Sequence, residues 1–312
     1  MDIQILLFLQ NFREGAGGIF TAFFKKMTFW GELNTVILLM AVLYWCIDKE
    51  LGTYVMMGWS GNRLVNGAMK VTVCAYRPWI RSAKILPEAS ARTTATGYSF
   101  PSGHTMNAAS VYGGFAVRPD MPKAFRILCG ILVALVALSR NFLGVHTPQD
   151  VLIGAAAGLL VMLLTYFLHD WICRHPEKIA LVVCAGLVLA AAICLYAGLK
   201  PYPTDYDAEG KLLVDGAVMA RDTFKGAGWT MGFLAGWYLE HRFVGFTTRI
   251  NGRQRLNRLA AGFMTFYLVS QVLVPMVSGA LPGFSGPLVS CFLQMLYITF
   301  LFPLLTRLFE KA

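Results

Sequence analysis

The chain has 312 residues, 56% hydrophobic and only 14% charged, with a formal net charge of +10. Soluble domains carry about 25% charged residues, so the composition excludes an ordinary soluble enzyme and indicates an all-α, polytopic integral membrane helix bundle. The basic residues are scattered between apolar segments and form no stripe with interleaved aromatics, which argues against a nucleic-acid partner and places the charge in loops at a bilayer surface.

Residues 3–25 set an apolar face (Ile5, Leu6, Leu9, Phe20, Phe23) against Asn11, Arg13 and Glu14 and break at Gly15–Gly18. That pattern predicts a bent N-terminal interfacial helix rather than a span. The N-terminus has neither a basic region nor a small-residue cleavage site, so no removable signal peptide is expected. Nine spans are predicted, at about residues 31–48, 51–75, 103–118, 123–140, 148–169, 178–199, 226–240, 258–280 and 286–306. The linker 241–258 holds Arg242, Arg249, Arg253, Arg255 and Arg258 without an acid, which marks it as cytoplasmic. Counting spans from it puts 118–123, 170–177 and the C-terminus (Arg307, Lys311) inside, and 76–102, 139–150 and 200–225 outside.

Three segments are polar where their surroundings are not. Lys70 and Arg77 lie seven residues apart, which on a helix is nearly two turns, so both project from one face; Pro78 discourages helix beyond them. Pro101-Ser102-Gly103-His104 opens a predicted helix. Ser102 suits an N-cap, Gly103 permits close backbone approach, and helix N-termini bind phosphate readily. His104 there could act as a general acid. The third segment is Ser139-Arg140, then His146 and Asp150, with Pro148 in the first turn of the next helix. A carboxylate four residues from an imidazole can fix its tautomer, the orienting logic of a nucleophile with a supporting acid. Arg140 offers a fork of donors matched to phosphate oxygens. Read singly, these are an interfacial cation pair, an ordinary cap and a structural His–Asp pair as readily as parts of a site.

Taken together, Lys-x6-Arg-Pro, Pro-Ser-Gly-His and Ser-Arg-x5-His-x3-Asp resemble the full three-part signature of the phosphatidic acid phosphatase type 2 superfamily. All eleven fixed positions are present in order, with 22 residues between Pro78 and Pro101 and 34 between His104 and Ser139. The resemblance implies a phosphatase in which His146 attacks phosphorus, Asp150 orients it, and His104 protonates the leaving oxygen. Lys70, Arg77, Ser102, the Gly103 N–H and Arg140 would hold the phosphoryl oxygens. It implies a phosphohistidine intermediate, no metal and no cofactor. The substrate expected is a membrane lipid phosphate or diphosphate, such as an isoprenyl diphosphate or a phosphatidic acid-type lipid, because the site residues lie at span ends. The expected location is the plasma membrane, with the site on the extracytoplasmic face. Two other functions compete: a phosphatase of soluble esters, and a non-catalytic transporter or scaffold keeping the fold.

The resemblance covers residues up to about 170, which divides the chain into a catalytic bundle over 1–175 and additional transmembrane helices of unassigned role over 176–312. The segment 79–100 mixes Arg81, Lys84, Glu88 and Arg92 with Trp79, Tyr98 and Phe100, and is expected to cover the site. Gly228, Gly232 and Gly236 repeat at four-residue spacing, as do Gly154 and Gly158; packing within the chain is favoured over a homodimer. Arg63, Asn66 and Lys70 share one helical face, which either lines a route to the site or pairs with buried carbonyls. Asp205, Asp207 and Glu209 begin like a calcium loop, but Gly216 stands where the bidentate Glu belongs, so a solvated acidic loop is the reading. The seven cysteines lack metal-type spacing and are read as small buried hydrophobes. His169, His175 and His241 border spans and receive no chemistry.

Overall fold

The computed structural model describes residues 1–310; Lys311, assigned above to the inner side, lies outside them. The protein is helical, and among the described residues the only β-pairing is an isolated antiparallel bridge between Tyr206 and Leu212. Helices α1 (Asp2–Gly15) and α2 (Ile19–Phe29) are separated where Gly17 and Gly18 take positive φ, conformations that bulkier residues avoid. Then come α3 (Leu33–Val42), α4 (Lys49–Val73), two short helices α5 (Pro78–Arg81) and α6 (Ala89–Thr93), and α7 (Gly103–Ala108). A π-turn at Ala109–Gly113 leads into α8 (Gly114–Val117), and α9 (Lys123–Phe142) and α10 (Pro148–Arg174) follow. The remainder is α11 (Ile179–Leu199), α12 (Gly216–Leu239), α13 (Gly252–Leu268), α14 (Val274–Ala280), α15 (Ser285–Leu296) and α16 (Phe302–Glu310).

Every predicted span coincides with helix. Among the described residues, five helical stretches are long and apolar enough to cross a bilayer: Lys123–Phe142, Pro148–Arg174, Pro176–Leu199, Gly252–Ala280 and Ser285–Arg307. A sixth arises if Ile19–Phe29 and Leu33–Ile47, bent by 50°, form one span, so the second half of the N-terminal segment is continuous with a span-like pair. The stretch from Gly103 to Val117 is short for a bilayer, and α4 carries polar residues. Helix α12 begins ten residues before the predicted position. Its first turns hold Arg221, Asp222 and Lys225, which interrupt apolarity without interrupting helix, and Asp222 pairs with Lys225 at 2.9 Å. Large apolar side chains such as Leu181 and Val188 are 62% and 69% exposed. With the backbone hydrogen bonds closed inside helices, this is the surface of an integral membrane protein.

Contacts divide the chain into two compact units that interleave in sequence. Unit 1 comprises residues 1–36, 65–164 and 200–219; unit 2 comprises 37–64, 165–199 and 220–312. In unit 1, the 79–100 segment packs on the loop after α9: Ala91 and Ala95 join Phe24, Phe142, Leu143 and Val145 in one buried cluster, with Leu9 and Trp79 against it. Helix α1 is stitched to the same segment. Arg13 donates to the carbonyls of Leu86 and Phe142, Gln10 exchanges hydrogen bonds with Lys84 and Leu86, and Asp2 pairs with Arg81 at 2.8 Å. Residues 200–219 close on this unit too. Tyr76 donates to Asp205 at 2.5 Å, Lys200 donates to the Val71 carbonyl, and Met219 fills the space beside Gly97. The acidic loop is thus a structural clasp: Asp205 holds Tyr76, and Asp207 accepts from the backbone N–H groups of Glu209 and Lys211.

In unit 2 the glycine face of α12 is used within the chain. A Cβ on Gly228, Gly232 or Gly236 would run into Leu288, Phe292 and Thr299 respectively, so α12 and the helix through 285–301 meet backbone to backbone. Arg63 lays its guanidinium 5.2 Å above Trp229, and Trp229 donates to Gln294 at 2.7 Å. Arg258, counted above as a loop cation, is instead buried and donates to the carbonyls of Trp45 and Thr247.

Candidate active site

All eight site residues proposed from the sequence fall in unit 1. Helix α4 stops at Val73, and Cys74, at φ 51°, turns the chain. Pro78 holds its predecessor extended, with Arg77 at φ −63° and ψ 152°. Arg77 therefore reaches the site from a loop and not, as the seven-residue spacing suggested, from the helical face that bears Lys70. The residue is 3% exposed, and each of its three guanidinium nitrogens donates. Nε donates to Gly97, Nη2 to Thr96 and Nη1 to Val145, all main-chain carbonyls at 2.8–3.0 Å. Nη1 also lies 2.9 Å from Nε2 of His146. Lys70 donates to the Tyr98 carbonyl at 2.9 Å, and Asn66 to that of Pro101 at 3.4 Å. Two of the three residues on the α4 face thus meet carbonyls.

His146 sits in the loop between α9 and α10. Its N–H and that of Val145 both donate to the Arg140 carbonyl, and its own carbonyl accepts from Asn141. Nδ1 is 3.4 Å from Oδ2 of Asp150. Oδ2 also accepts from the Ser99 hydroxyl at 2.6 Å and the Thr147 N–H at 2.7 Å, which leaves the carboxylate one orientation. Electrostatics selects the tautomer. Arg77 can only donate, so Nε2 must present its lone pair and the proton lies on Nδ1, facing Asp150. Burial first, and then the Arg77 charge, hold this imidazole well below the usual histidine range, against the opposing pull of Asp150. Burial lowers Arg77 to about 10, so it stays cationic at neutral pH.

Ser102 caps α7 through its hydroxyl, which accepts from both the N–H and the hydroxyl of Thr105, while its own N–H donates to the Asp150 carbonyl at 3.0 Å. That last bond ties the second motif to the third. The close approach depends on bare backbone across the way. A Cβ on Gly154 would lie 3.3 Å from the Ser102 carbonyl oxygen, and one on Gly158 would strike Ala109 at 2.7 Å. A Cβ on Gly103 would make only an ordinary van der Waals contact, with the Asn66 side chain at 3.9 Å.

Three atoms in this cluster are buried without a hydrogen-bond partner: Nε2 of His104, and Nε and Nη2 of Arg140. The remaining Arg140 nitrogen, Nη1, donates to the Thr28 hydroxyl at 2.7 Å. Buried donors are normally satisfied. The fully buried Arg140 guanidinium thus keeps two nitrogens without a partner, and Lys70, Arg77, Arg140 and His146 all lie near enough to His104 to act on it. No sequence signal marked Ser99, Thr28 or Asn141. Ser99 is two residues from the nearest motif position, and Thr28 is 112 residues from the arginine it holds.

An integral membrane protein of bundled helices with a buried, cation-rich histidine–carboxylate cluster is the class this structure defines. The chain belongs to the PAP2 superfamily. It matches that family over residues 51–174, and the PAP2 superfamily phosphatase transmembrane extension over residues 224–312. It is 30% identical over 154 residues to phosphatidylglycerophosphatase B of Bacillus subtilis strain 168, covering 47% of this chain and 71% of that protein. No solved structure matches it significantly.

Proposed function

We propose that the protein is a membrane lipid phosphatase that works through a covalent phosphohistidine on Nε2 of His146. The carrying observation is the disposition of that imidazole: Nδ1 backed by Asp150 and Ser99, Nε2 aimed at the guanidinium of Arg77. In the first step the Nε2 lone pair forms the N–P bond, the P–O bond to the lipid breaks, and the leaving oxygen takes a proton from His104. The phosphate itself makes a protonated His104 tolerable among Lys70, Arg77 and Arg140. Asp150 stabilises the positive charge that grows on the ring. Arg77 exchanges its bond to Nε2 for phosphoryl oxygens, and the idle edges of Arg140 take up others, which suits a reaction governed by positioning and charge. In the second step water attacks phosphorus, the N–P bond breaks, inorganic phosphate leaves, and His104 receives the water's proton.

A lipid is favoured over a soluble ester because the cluster sits where helices end and loops begin, the position in the chain that a headgroup would meet. The location proposed is the extracytoplasmic face of the plasma membrane, a reading supported by the arginine-rich linker 241–258 taken as a cytoplasmic loop. The relative's name makes phosphatidylglycerophosphate the first substrate to try, followed by phosphatidic acid and isoprenyl diphosphates. Purified protein assayed against this panel should release phosphate from at least one lipid. Acid quench with labelled substrate should trap protein-bound phosphate in the wild type and none in His146→Ala. Label retained by His146→Ala would overturn the nucleophile.

A further inference from the structure

Unit 2 brings together three side chains that catalysis does not use. Glu50 lies in the first turn of α4, and His169 and Cys173 lie one turn apart near the end of α10. Their donor atoms all fall within 4.8 Å of one another. Nε2 of His169 is 3.6 Å from Oε2 of Glu50 and 4.0 Å from Sγ of Cys173. Both exceed a good hydrogen bond. They are near the ligand-to-ligand edges of a tetrahedron around zinc, roughly 3.3–3.6 Å for metal bonds of 2.0–2.3 Å. Side-chain rotation within the 4.8 Å that bounds all three donors would close the set.

We infer that Glu50, His169 and Cys173 bind a borderline-soft divalent metal of the zinc class. A thiolate and an imidazole disfavour magnesium and calcium, which take oxygen ligands, and a mixed S/N/O set with an open fourth position suits Zn(II). The cluster is held for the task. His169 is buried, with the Tyr54 ring edge-on at 5.9 Å fixing its plane. Glu50 and Cys173 are exposed, which gives a metal a way in. The other acids nearby are engaged elsewhere: Asp170 with Arg174, and Glu177 with His175. His241 is close enough to act on the Glu50 charge, and it or a water would supply the fourth ligand. A bound ion would clip the start of α4 to the end of α10. None of its ligands belongs to the phosphoryl-transfer cluster, so the site is separable from turnover.

Full-length protein in detergent, stripped with chelator and titrated with Co(II), tests this. A near-ultraviolet thiolate-to-cobalt band with tetrahedral visible bands should saturate at one cobalt per chain and vanish on adding equimolar Zn(II). Cys173→Ser should abolish the thiolate band, while Cys184→Ser, which removes another exposed cysteine, should keep it. Glu50→Gln and His169→Gln should each weaken binding by about tenfold or more, since losing even an outer-shell partner costs that much. Zinc should raise the thermal midpoint of the wild type and leave that of Cys173→Ser unchanged. No thiolate band at saturating cobalt, or a band that survives Cys173→Ser or keeps its affinity in His169→Gln, overturns the site.

Discussion

Replacing Asp150 with asparagine isolates the contribution of its charge. Oδ2 accepts from Ser99 at 2.6 Å and from the Thr147 N–H at 2.7 Å, and faces Nδ1 of His146 at 3.4 Å. A single amide oxygen in the same place can accept from all three, so the fold and the imidazole orientation are kept. The loss is the anion opposite the cation that forms as Nε2 bonds to phosphorus. Unit charges 3.4 Å apart attract by about 5 kcal/mol at an effective dielectric of about 20. If half to all of the charge has developed at the transition state, kcat should fall by roughly two to three and a half decades. Phosphate release from a short-chain lipid phosphate in mixed micelles measures this, with the thermal midpoint as control. A loss below about fivefold in a folded variant would refute the reasoning, because a carboxylate at this distance cannot then be stabilising the ring.

His104→Ala should cost more on lipid esters, whose alkoxide needs a proton, than on aryl phosphates, whose phenolate leaves without one; equal losses would remove His104 as the acid. Because burial and Arg77 keep His146 neutral, its protonation should cause no loss of kcat/KM as pH falls through the ordinary histidine range near 6.5. Arg77→Gln removes the larger of the two cationic lowering causes, the other being Arg140, so the acid limb set by His146 should move to higher pH, and an unmoved limb would mean that another group titrates. Gly154→Ala asks the Ser102 carbonyl, 3.3 Å from the new Cβ, to give by a few tenths of an ångström and should cost little. Gly154→Leu should displace the start of α7 and lower kcat by about a hundredfold, the penalty for misplacing a catalytic group by about 1 Å. Activity near wild type in the leucine variant would show that α7 is not positioned through this contact.

The parts of the site that were legible in the sequence are those whose function requires a fixed local pattern. Ser102 must precede its helix, Asp150 must lie one turn after His146, and Pro78 must follow Arg77. What could not be read depends on chain segments meeting in space. Ser99 and Thr28 are ordinary hydroxyl residues until the fold sets one against Asp150 and the other against Arg140. Glu50, His169 and Cys173 looked unremarkable because only the i, i+4 pair is local and its third member is over a hundred residues away. Among helices, apolarity located the long lipid-facing ones but missed the first turns of α12, where charged residues continue the helix. The glycine repeats were legible as close contacts, though not which helices they would meet.

The clasp formed by residues 200–219 has a consequence for biogenesis. Every motif residue has been synthesised once Asp150 is added, yet the groups that steady the ground around Arg77 and Lys70 come later: Lys200 on the Val71 carbonyl, Asp205 on Tyr76, Met219 against Gly97. Between the two lies α11, a full hydrophobic segment that must first be inserted. A nascent chain halted after Arg174 would hold the complete signature without its clasp. Unit 1 is thus complete only once one further helix has entered the bilayer and the chain has doubled back.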